Sequence, residues 1–317
     1  MNKKTVLVTG ATGNMGYQSL LQMKGDLKNY NIRLVARNSE KNHKILAEYE
    51  HLEGLEIVWG DLDDYEIVKK AVKGVDLILH IAAFVSPFAD YYPKKAMIVN
   101  FGSTYNLIQA IKELHQNDTT YFVYIGTVAE TGNRMPPIHW GRVGDPIKPS
   151  MFDYYAVSKV AAERYVIESG LKHWASLRQT GIIGKGMAKI EDAIMFHNCL
   201  DTALEYVSDR DSGRAMRNLT YEFFNGELPS SFWNHIYNIG GGKKCRINTY
   251  KLYQDMYGRF NLTHLEYVLN PSIIATRNFH GQYYLDSDKL ENYLHFQQDS
   301  MDYFYDCFQE TMGFSFH

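Results

Sequence analysis

Cysteine is scarce in this chain, with three residues among 317. Cys199, Cys245 and Cys307 are far apart, odd in number and without a Cys-x-x-Cys pair, which excludes a disulfide framework and fits a reducing compartment. Charge of one sign is equally thin. A formal net charge of −3 leaves no broad basic surface, so nucleic acid is excluded as a partner. Long apolar runs are missing too. The longest, Val75 to Phe88, is interrupted by Asp76 and His80 and is too short to cross a bilayer. Met1-Asn2-Lys3-Lys4-Thr5 leads directly into a short strand-like stretch, without the apolar region of a secretory signal. His197-x-Cys199 has no second pair at ligand spacing, so no metal is expected. There is no repeat, low-complexity tract or linker. These absences predict a cytoplasmic protein with no membrane and no metal.

Hydrophobic residues at 45% and charged residues at 22% are ordinary for a globular chain, but 24 Tyr and 16 Phe are many. They serve core packing or line an aromatic pocket. The first half alternates short β-rich runs with helical segments. Strands are expected at Thr5–Thr9, Ile32–Ala36, Glu56–Trp59, Leu77–His80, Tyr121–Ile125 and Ala175–Arg178. Helices are expected over Met15–Lys24, Asp64–Lys73, Lys95–His115 and Asp153–Ser169. That rhythm implies an α/β fold built on a doubly wound parallel sheet, with its ligand at the carboxyl ends of the strands. Beyond Gly186 it is lost. Residues 187–236 read as mostly helical, followed by a strand at His235–Ile239, a helix from Thr249 to Tyr257 and amphipathic helices between Asp286 and Phe308. The expected division is a dinucleotide-binding domain over 1–186, to which a late strand near 235–240 returns, and a smaller substrate-binding lobe over 187–317.

Gly10-x-x-Gly13-x-x-Gly16 follows the first strand and opens the first helix. Glycine permits the tight turn and lets backbone N–H groups approach a pyrophosphate, whose charge the helix N-terminus stabilises. The second strand ends in Val35-Ala36-Arg37-Asn38, with no carboxylate before Glu40 to hold a ribose. Arg37 can pair with a 2′-phosphate through its planar fork, with Lys41 assisting. NADP is therefore favoured, and NAD remains possible. Tyr155 and Lys159 lie four apart, on one face of the helix expected there. A nearby ammonium favours the phenolate and lowers the tyrosine pKa, making proton exchange with a hydroxyl or ketone feasible. Tyr154 has Ser158 four residues on, so it lacks such a partner.

Thr9-Gly10-Ala11-Thr12-Gly13-Asn14-Met15-Gly16 together with Tyr155-x-x-x-Lys159 resembles the extended short-chain dehydrogenase/reductase family, its epimerase/dehydratase-like branch. Further segments match in order: Gly60-Asp61-Leu62, His80-Ile81-Ala82-Ala83, Asn100 to Asn106, Leu177 to Gly184 and Tyr237 to Gly242. The match covers roughly residues 4–260. It implies a Rossmann-type domain in which Gly10, Thr12, Gly13, Asn14, Met15 and Gly16 cradle the cofactor. Arg37, Asp61 and Leu62 would meet its adenosine end, and Ala82, Ala83, Asn100, Lys159 and Ile182 the rest. Asn100 would hold a bridging water or cap its helix. Thr127 aligns with the family's catalytic Ser/Thr and would hydrogen-bond the reacting oxygen. Homodimers are common in this family, and Ala161, Ala162 and Tyr165 are candidates for the interface.

The resemblance also excludes a reaction. Sugar-nucleotide dehydratases of this family carry an Asp-Glu pair after the threonine; here those positions are Val128 and Ala129, and Glu130 is one residue out of place. Arg178, Arg214, Arg217 and Arg246 are the possible anion contacts, with solvated surface the preferred reading of the last three. Substrate-facing candidates are Phe84, Val85, Ser86 and Phe88, then Met135, Pro136 and Ile138. This apolar set favours a hydrophobic, steroid-like or other secondary alcohol over a pyrophosphate-bearing sugar. The reading is an NAD(P)-dependent oxidoreductase interconverting a secondary alcohol and a ketone, with Thr127, Tyr155 and Lys159 as its catalytic group. The alternatives are a sugar-nucleotide epimerase with retained NAD and a non-catalytic NADP-binding sensor.

Overall fold

The computed structural model describes residues 3–134, 137–188, 198–276 and 280–312. Strand β1 (Thr5–Thr9) passes through Gly10 into helix α1 (Asn14–Met23), and the alternation continues with β2 (Asn31–Ala36), α2 (Glu40–Leu46), β3 (Leu55–Trp59), α3 (Tyr65–Val72) and β4 (Leu77–His80). Ser39 and Asp64 start α2 and α3, each side chain accepting a backbone N–H of the first turn. Next come α4 (Phe88–Tyr91), α5 (Pro93–Ala96), a π-helical turn (Met97–Gly102), α6 (Ser103–Glu113) and β5 (Tyr121–Thr127). The short β6 (Trp140–Gly141), α7 (Tyr154–Ile167), β7 (Trp174–Gln179), β8 (Ile182–Ile183) and α8 (Lys185–Ala188) follow. After them stand β9 (Ala203–Glu205), β10 (Val207–Ser208), α9 (Asp209–Asn225) and β11 (His235–Ile239).

Seven strands form one parallel sheet in the order β11-β7-β5-β4-β1-β2-β3. The chain winds outward in both directions from β1 and β4, so the doubly wound fold expected from the sequence is present. The crevice for a ligand opens where the winding reverses. Alternation along β1 sends Val6 and Val8 into one core with Leu20 and Met23 of α1 and Met216 and Leu219 of α9. Leu7 faces the other core, among Val68 of α3, Ile111 of α6 and Val166 of α7. Each large apolar side chain buried this way contributes about 1.5–3 kcal/mol.

The remaining elements are β12 (Arg246–Asn248), α10 (Thr249–Gly258), α11 (Leu265–Val268), β13 (Tyr283–Tyr284), α12 (Asp288–Leu294) and α13 (Met301–Thr311). A third core, with Leu204, Tyr206, Leu252, Met256, Phe304 and Phe308, joins β9, α10 and α13. This part reaches back over the loop that follows β5. Tyr283 pairs with Trp140, Gln282 Nε2 donates to Thr131 Oγ1 at 2.6 Å, and Val143 N donates to Asp286 at 2.9 Å.

Three expectations differ. The helix over Lys95–His115 is broken by the π turn, inside which Asn100 is anchored to other segments. Residues 203–208 are strands rather than helix, because Val207 pairs with Ile182 and Ala203 with Asn248. Ala162 and Tyr165 turn toward their own core: Ala162 is fully buried and Tyr165 bonds Gln109.

Gly16 lies so close to the preceding turn that a Cβ there would overlap the Gly10 carbonyl oxygen. Both contacting groups are backbone and have little room to yield. Gly16→Ala is expected to cost about 1–3 kcal/mol, read as a lower urea midpoint at an unchanged denaturant slope. A midpoint equal to the parent's would contradict this packing.

Candidate functional site

The glycine turn is built by backbone constraints. Gly10 has φ +73°, and a Cβ on it would stand 2.7 Å from Ala82 N, so both the conformation and the close approach of β1's end to β4's end require glycine. Gly13 N donates to Gly10 O at 2.9 Å, while Gly13 and Asn14 themselves are exposed. The first N–H groups of α1 therefore open toward the crevice, an arrangement that fits a pyrophosphate. Thr9 holds the neighbouring turn: its Oγ1 accepts from Ile81 N and Ala82 N, both at 3.1 Å, and bonds His80 Nδ1 at 2.9 Å. His80 Nε2 meets Thr104 Oγ1 at 3.0 Å. Burial, helped by the charge of Lys159, pushes His80 down to about 3 and keeps the ring neutral.

Between the glycine turn and α2, a cleft of about 550 Å³ is lined by Thr12, Gly13, Asn14, Tyr17, Lys44 and Ile45. Arg37 is exposed at the end of β2, where its carbonyl accepts from Asn42 Nδ2 at 2.8 Å, and it makes no ion pair among the described residues. Lys44, rather than Lys41, lines this cleft and bridges Glu40 at 2.7 Å. Asp61 is exposed and its carboxylate accepts from Leu62 N at 2.7 Å. Ala82 and Ala83 are partly exposed beside Gly10, as is Ile182, which starts β8. Met15 is buried under the turn.

Asn100 lies inside the π turn and does not cap the helix that follows. Its Oδ1 accepts from Phe84 N at 2.7 Å, and its Nδ2 donates to Phe84 O at 3.0 Å and to Ser158 Oγ at 2.8 Å. It joins the loop after β4 to α7, and the wide turn that carries it is the break in the expected helix. π turns are frequent at functional sites.

Helix α7 begins at Asp153, whose Oδ1 accepts from Ala156 N at 2.8 Å, while Asp90 accepts from Tyr155 N at 3.2 Å. Tyr155 and Lys159 then fall on one face. Lys159 is 2% exposed and its ammonium stands 4.2 Å from the centre of the Tyr124 ring. Burial pushes it down to about 8, against the opposing pull of Glu130 and Glu163. Tyr155 departs from expectation. Desolvation pushes its hydroxyl well above the usual tyrosine value, and the hydrogen bond from Thr127 only partly offsets this. Tyr154 is 42% exposed.

Thr127 ends β5 and caps the turn after it, accepting from Ala129 N at 3.2 Å. Glu130 returns to Thr127 N at 3.3 Å, forming a capping box. Thr127 is also within hydrogen-bond reach of the Tyr155 hydroxyl, and Lys159 stands one helical turn along from Tyr155.

The four arginines are committed to carboxylates. Arg178 binds Glu163 at 2.5 Å, Arg217 binds Asp26 at 2.7 Å, Arg246 binds Glu205 at 2.7 Å, and Arg214 binds Asp211. The last three are partly buried rather than solvated. Around the crevice, Phe84 and Ser86 are half-buried and Val85 and Phe88 exposed, and Ser86 Oγ has no hydrogen-bond partner among the described residues. Met135, Pro136 and His197 lie outside the described residues. No group of three or more metal-ligating side chains occurs among the described residues, and no described helix is long and apolar enough to cross a membrane.

The model of the NAD dependent epimerase/dehydratase family matches residues 6–220. A 3 beta-hydroxysteroid dehydrogenase/Delta 5-->4-isomerase of Mycobacterium tuberculosis (strain ATCC 25618 / H37Rv) is 29% identical over 210 residues, 63% of this chain and 51% of that protein. The vaccinia virus (strain Copenhagen) protein of the same description is 32% identical over 142 residues, 40% of this chain and 38% of the viral one. The chain thus matches at most about half the length of either. In fold it is similar to a dTDP-glucose 4,6-dehydratase double mutant from Streptomyces venezuelae with NAD bound, at TM-score 0.73, 19% identity and coverage of 97% of this chain and 98% of that one. The glycine turn, the seven-stranded sheet and a family match over more than half of the sequence converge: the chain belongs to the NAD dependent epimerase/dehydratase family and has the fold of the extended short-chain dehydrogenase/reductases.

Proposed function

We propose that this protein is an NAD(P)-dependent oxidoreductase that interconverts a secondary alcohol and a ketone, prefers NADP, and takes a rather apolar, steroid-like substrate. The observation that carries the reading is the convergence of Thr127, Tyr155 and a buried Lys159 beside a glycine turn fitted to a pyrophosphate. When bound, the nicotinamide accepts or supplies the hydride. In the reducing direction Tyr155 gives its hydroxyl proton to the carbonyl oxygen, and the resulting phenolate is stabilised by the Lys159 ammonium. Thr127 donates a hydrogen bond to the same oxygen and orients it. In the oxidising direction Tyr155 takes the alcohol proton.

Two further features support this over elimination or a sugar nucleotide. Val128 and Ala129 offer no acid or base, and the Glu130 carboxyl is buried behind Thr127 with no exposed surface. Arg178, Arg214, Arg217 and Arg246 are held by carboxylates and are poorly placed to clamp a pyrophosphate. The relatives named as 3 beta-hydroxysteroid dehydrogenases point the same way. Exposed Met151, Phe152, Tyr154 and Val157 at and just before the start of α7, with Ile98 and Tyr105 on the π turn and α6 that pack against it, support a homodimer through this face.

Tyr155→Phe is expected to lower turnover with a ketone panel by about 10²–10⁴-fold while leaving reduced-cofactor affinity within about twofold. Turnover near the parent's would refute its role. Arg37→Asp removes one charge-assisted phosphate contact and should weaken NADP about 10- to 100-fold, with NAD little changed. Equal loss for both, measured by fluorescence titration, would overturn the NADP preference. A Lys159 held down to about 8 is an ammonium below that pH and neutral above it, so kcat/KM should fall as pH rises through about 8. A profile flat to pH 10 would contradict it.

A further inference from the structure

Behind Thr127 lies a group of charges that the proposed reaction does not use. Glu130 is fully buried, Glu163 is 3% exposed and Arg178 4% exposed. Arg178 Nη2 donates to Glu163 Oε2 at 2.5 Å and Nε to Oε1 at 3.1 Å, and Ser176 Oγ donates to Glu163 Oε1 at 2.5 Å. Glu163 is therefore fully supplied with donors and stays ionised, held below the usual carboxylate range once these bonds outweigh its burial. Glu130 is not so supplied. Among the described residues its Oε1 accepts only the long bond from Thr127 N, at 3.3 Å. Its Oε2 receives no hydrogen bond among the described residues and stands 3.6 Å from Arg178 Nε. Two carboxylates thus face one guanidinium already engaged by the better placed of them. Against an ionised Glu163, the orphaned oxygen is satisfied only by carrying a proton and donating it. Burial and the Glu163 charge accordingly raise Glu130 well above the usual range.

The group sits against the reacting residues on every side. Tyr155, Lys159 and Glu163 come from α7, Tyr124 from β5, Arg178 from β7, with Tyr284 of β13 beyond it, and His80 of β4 faces Lys159. Lys159 and Glu163 are one helical turn apart, and the charges of Glu130 and Glu163 both act on Lys159.

We propose that Glu130 is a positioning residue whose carboxyl, facing Glu163 across Arg178, sets how long Lys159 keeps its charge beneath the Tyr155 hydroxyl. At lower pH Glu130 is a neutral acid and adds no charge. As pH rises it loses its proton, and the new carboxylate holds the Lys159 ammonium in place. An ionised Glu130 favours the charged form of Lys159, so the alkaline limit of the working range lies higher with it than without it. The proposal rests on the reading of Lys159 as the ammonium that stabilises the Tyr155 phenolate and meets the cofactor.

Glu130→Gln tests this, because the amide can still accept from Thr127 N but never ionises. Two profiles from pH 6 to 10 are measured on the full chain: affinity for NADPH by fluorescence titration, and kcat/KM with a ketone that the parent reduces. The variant should match the parent within about twofold at pH 6, while its alkaline limb moves about one unit toward acid in both profiles. Stability gives an independent sign. A carboxyl whose folded pKa is raised loses stability as pH climbs above its unfolded value, so at pH 8 the variant should melt at the same temperature as the parent or higher. Should Glu130→Gln fail to fold, Glu130→Val serves, with the same acid shift and an additional fall in kcat from the lost Thr127 bond. An unshifted limb, or a loss equal at every pH, overturns the proposal and leaves Glu130 a structural cap. If the parent binds NADPH but reduces no ketone, the oxidoreductase reading fails, while the binding profile still decides the role of Glu130.

Discussion

An ammonium group kept almost out of water is the constraint on which the rest of the site depends. A buried lysine loses most of its hydration, and this chain recovers part of that loss with the face of Tyr124 at 4.2 Å and with the field of the ionised Glu163. That carboxylate is in turn stabilised by Arg178, which ties α7 to β7. Breaking such a buried pair by removing one partner commonly costs about 3–5 kcal/mol, so the helix that carries Tyr155 cannot move independently of the sheet. The same desolvation that lowers Lys159 raises Tyr155, and the two effects keep a proton on the tyrosine when no substrate is present.

The cofactor end is organised by backbone approach. Gly10 lets the ends of β1 and β4 nearly touch, and Thr9 closes that junction by accepting from two successive N–H groups of the β4 loop while bonding a neutral His80. His80 passes the connection to Thr104 and α6, and Asn100, one turn earlier, carries it to Ser158 on α7. A continuous set of hydrogen bonds therefore runs from the glycine turn to the helix of Tyr155 and Lys159. The C-terminal part closes the other side, where the segment from Gly281 to Asp286 pairs with the loop after Thr127.

Much of this was legible in the residue order. Short apolar strands, the helices beginning near Asp64 and Asp153, and the glycine turn all follow from local rules, and their alternation is enough to specify a doubly wound sheet; the short helix that Ser39 caps was not expected. The helix over Lys95–His115 was legible in extent but not in its break, because the π turn accompanies the bonds of Asn100 to Phe84 and Ser158, which are far away in sequence. Residues 203–208 read as helix because their partners, at Ile182 and Asn248, contribute nothing to a local window.

By itself the sequence determined the fold class, the position of the phosphate-cradling turn, and the spacing that puts Tyr155 and Lys159 on one helical face. Each of these depends on neighbours within a few residues and on their periodicity. Only the tertiary structure decided the charges. Glu130 looked like a misplaced acid and is a buried one; Arg214, Arg217 and Arg246 looked solvated and are committed to carboxylates; and Tyr155 is raised where a nearby ammonium alone would lower it. Whether an ionisable group is charged depends on how much water and which partners surround it, and those come from segments that meet only when the chain has folded.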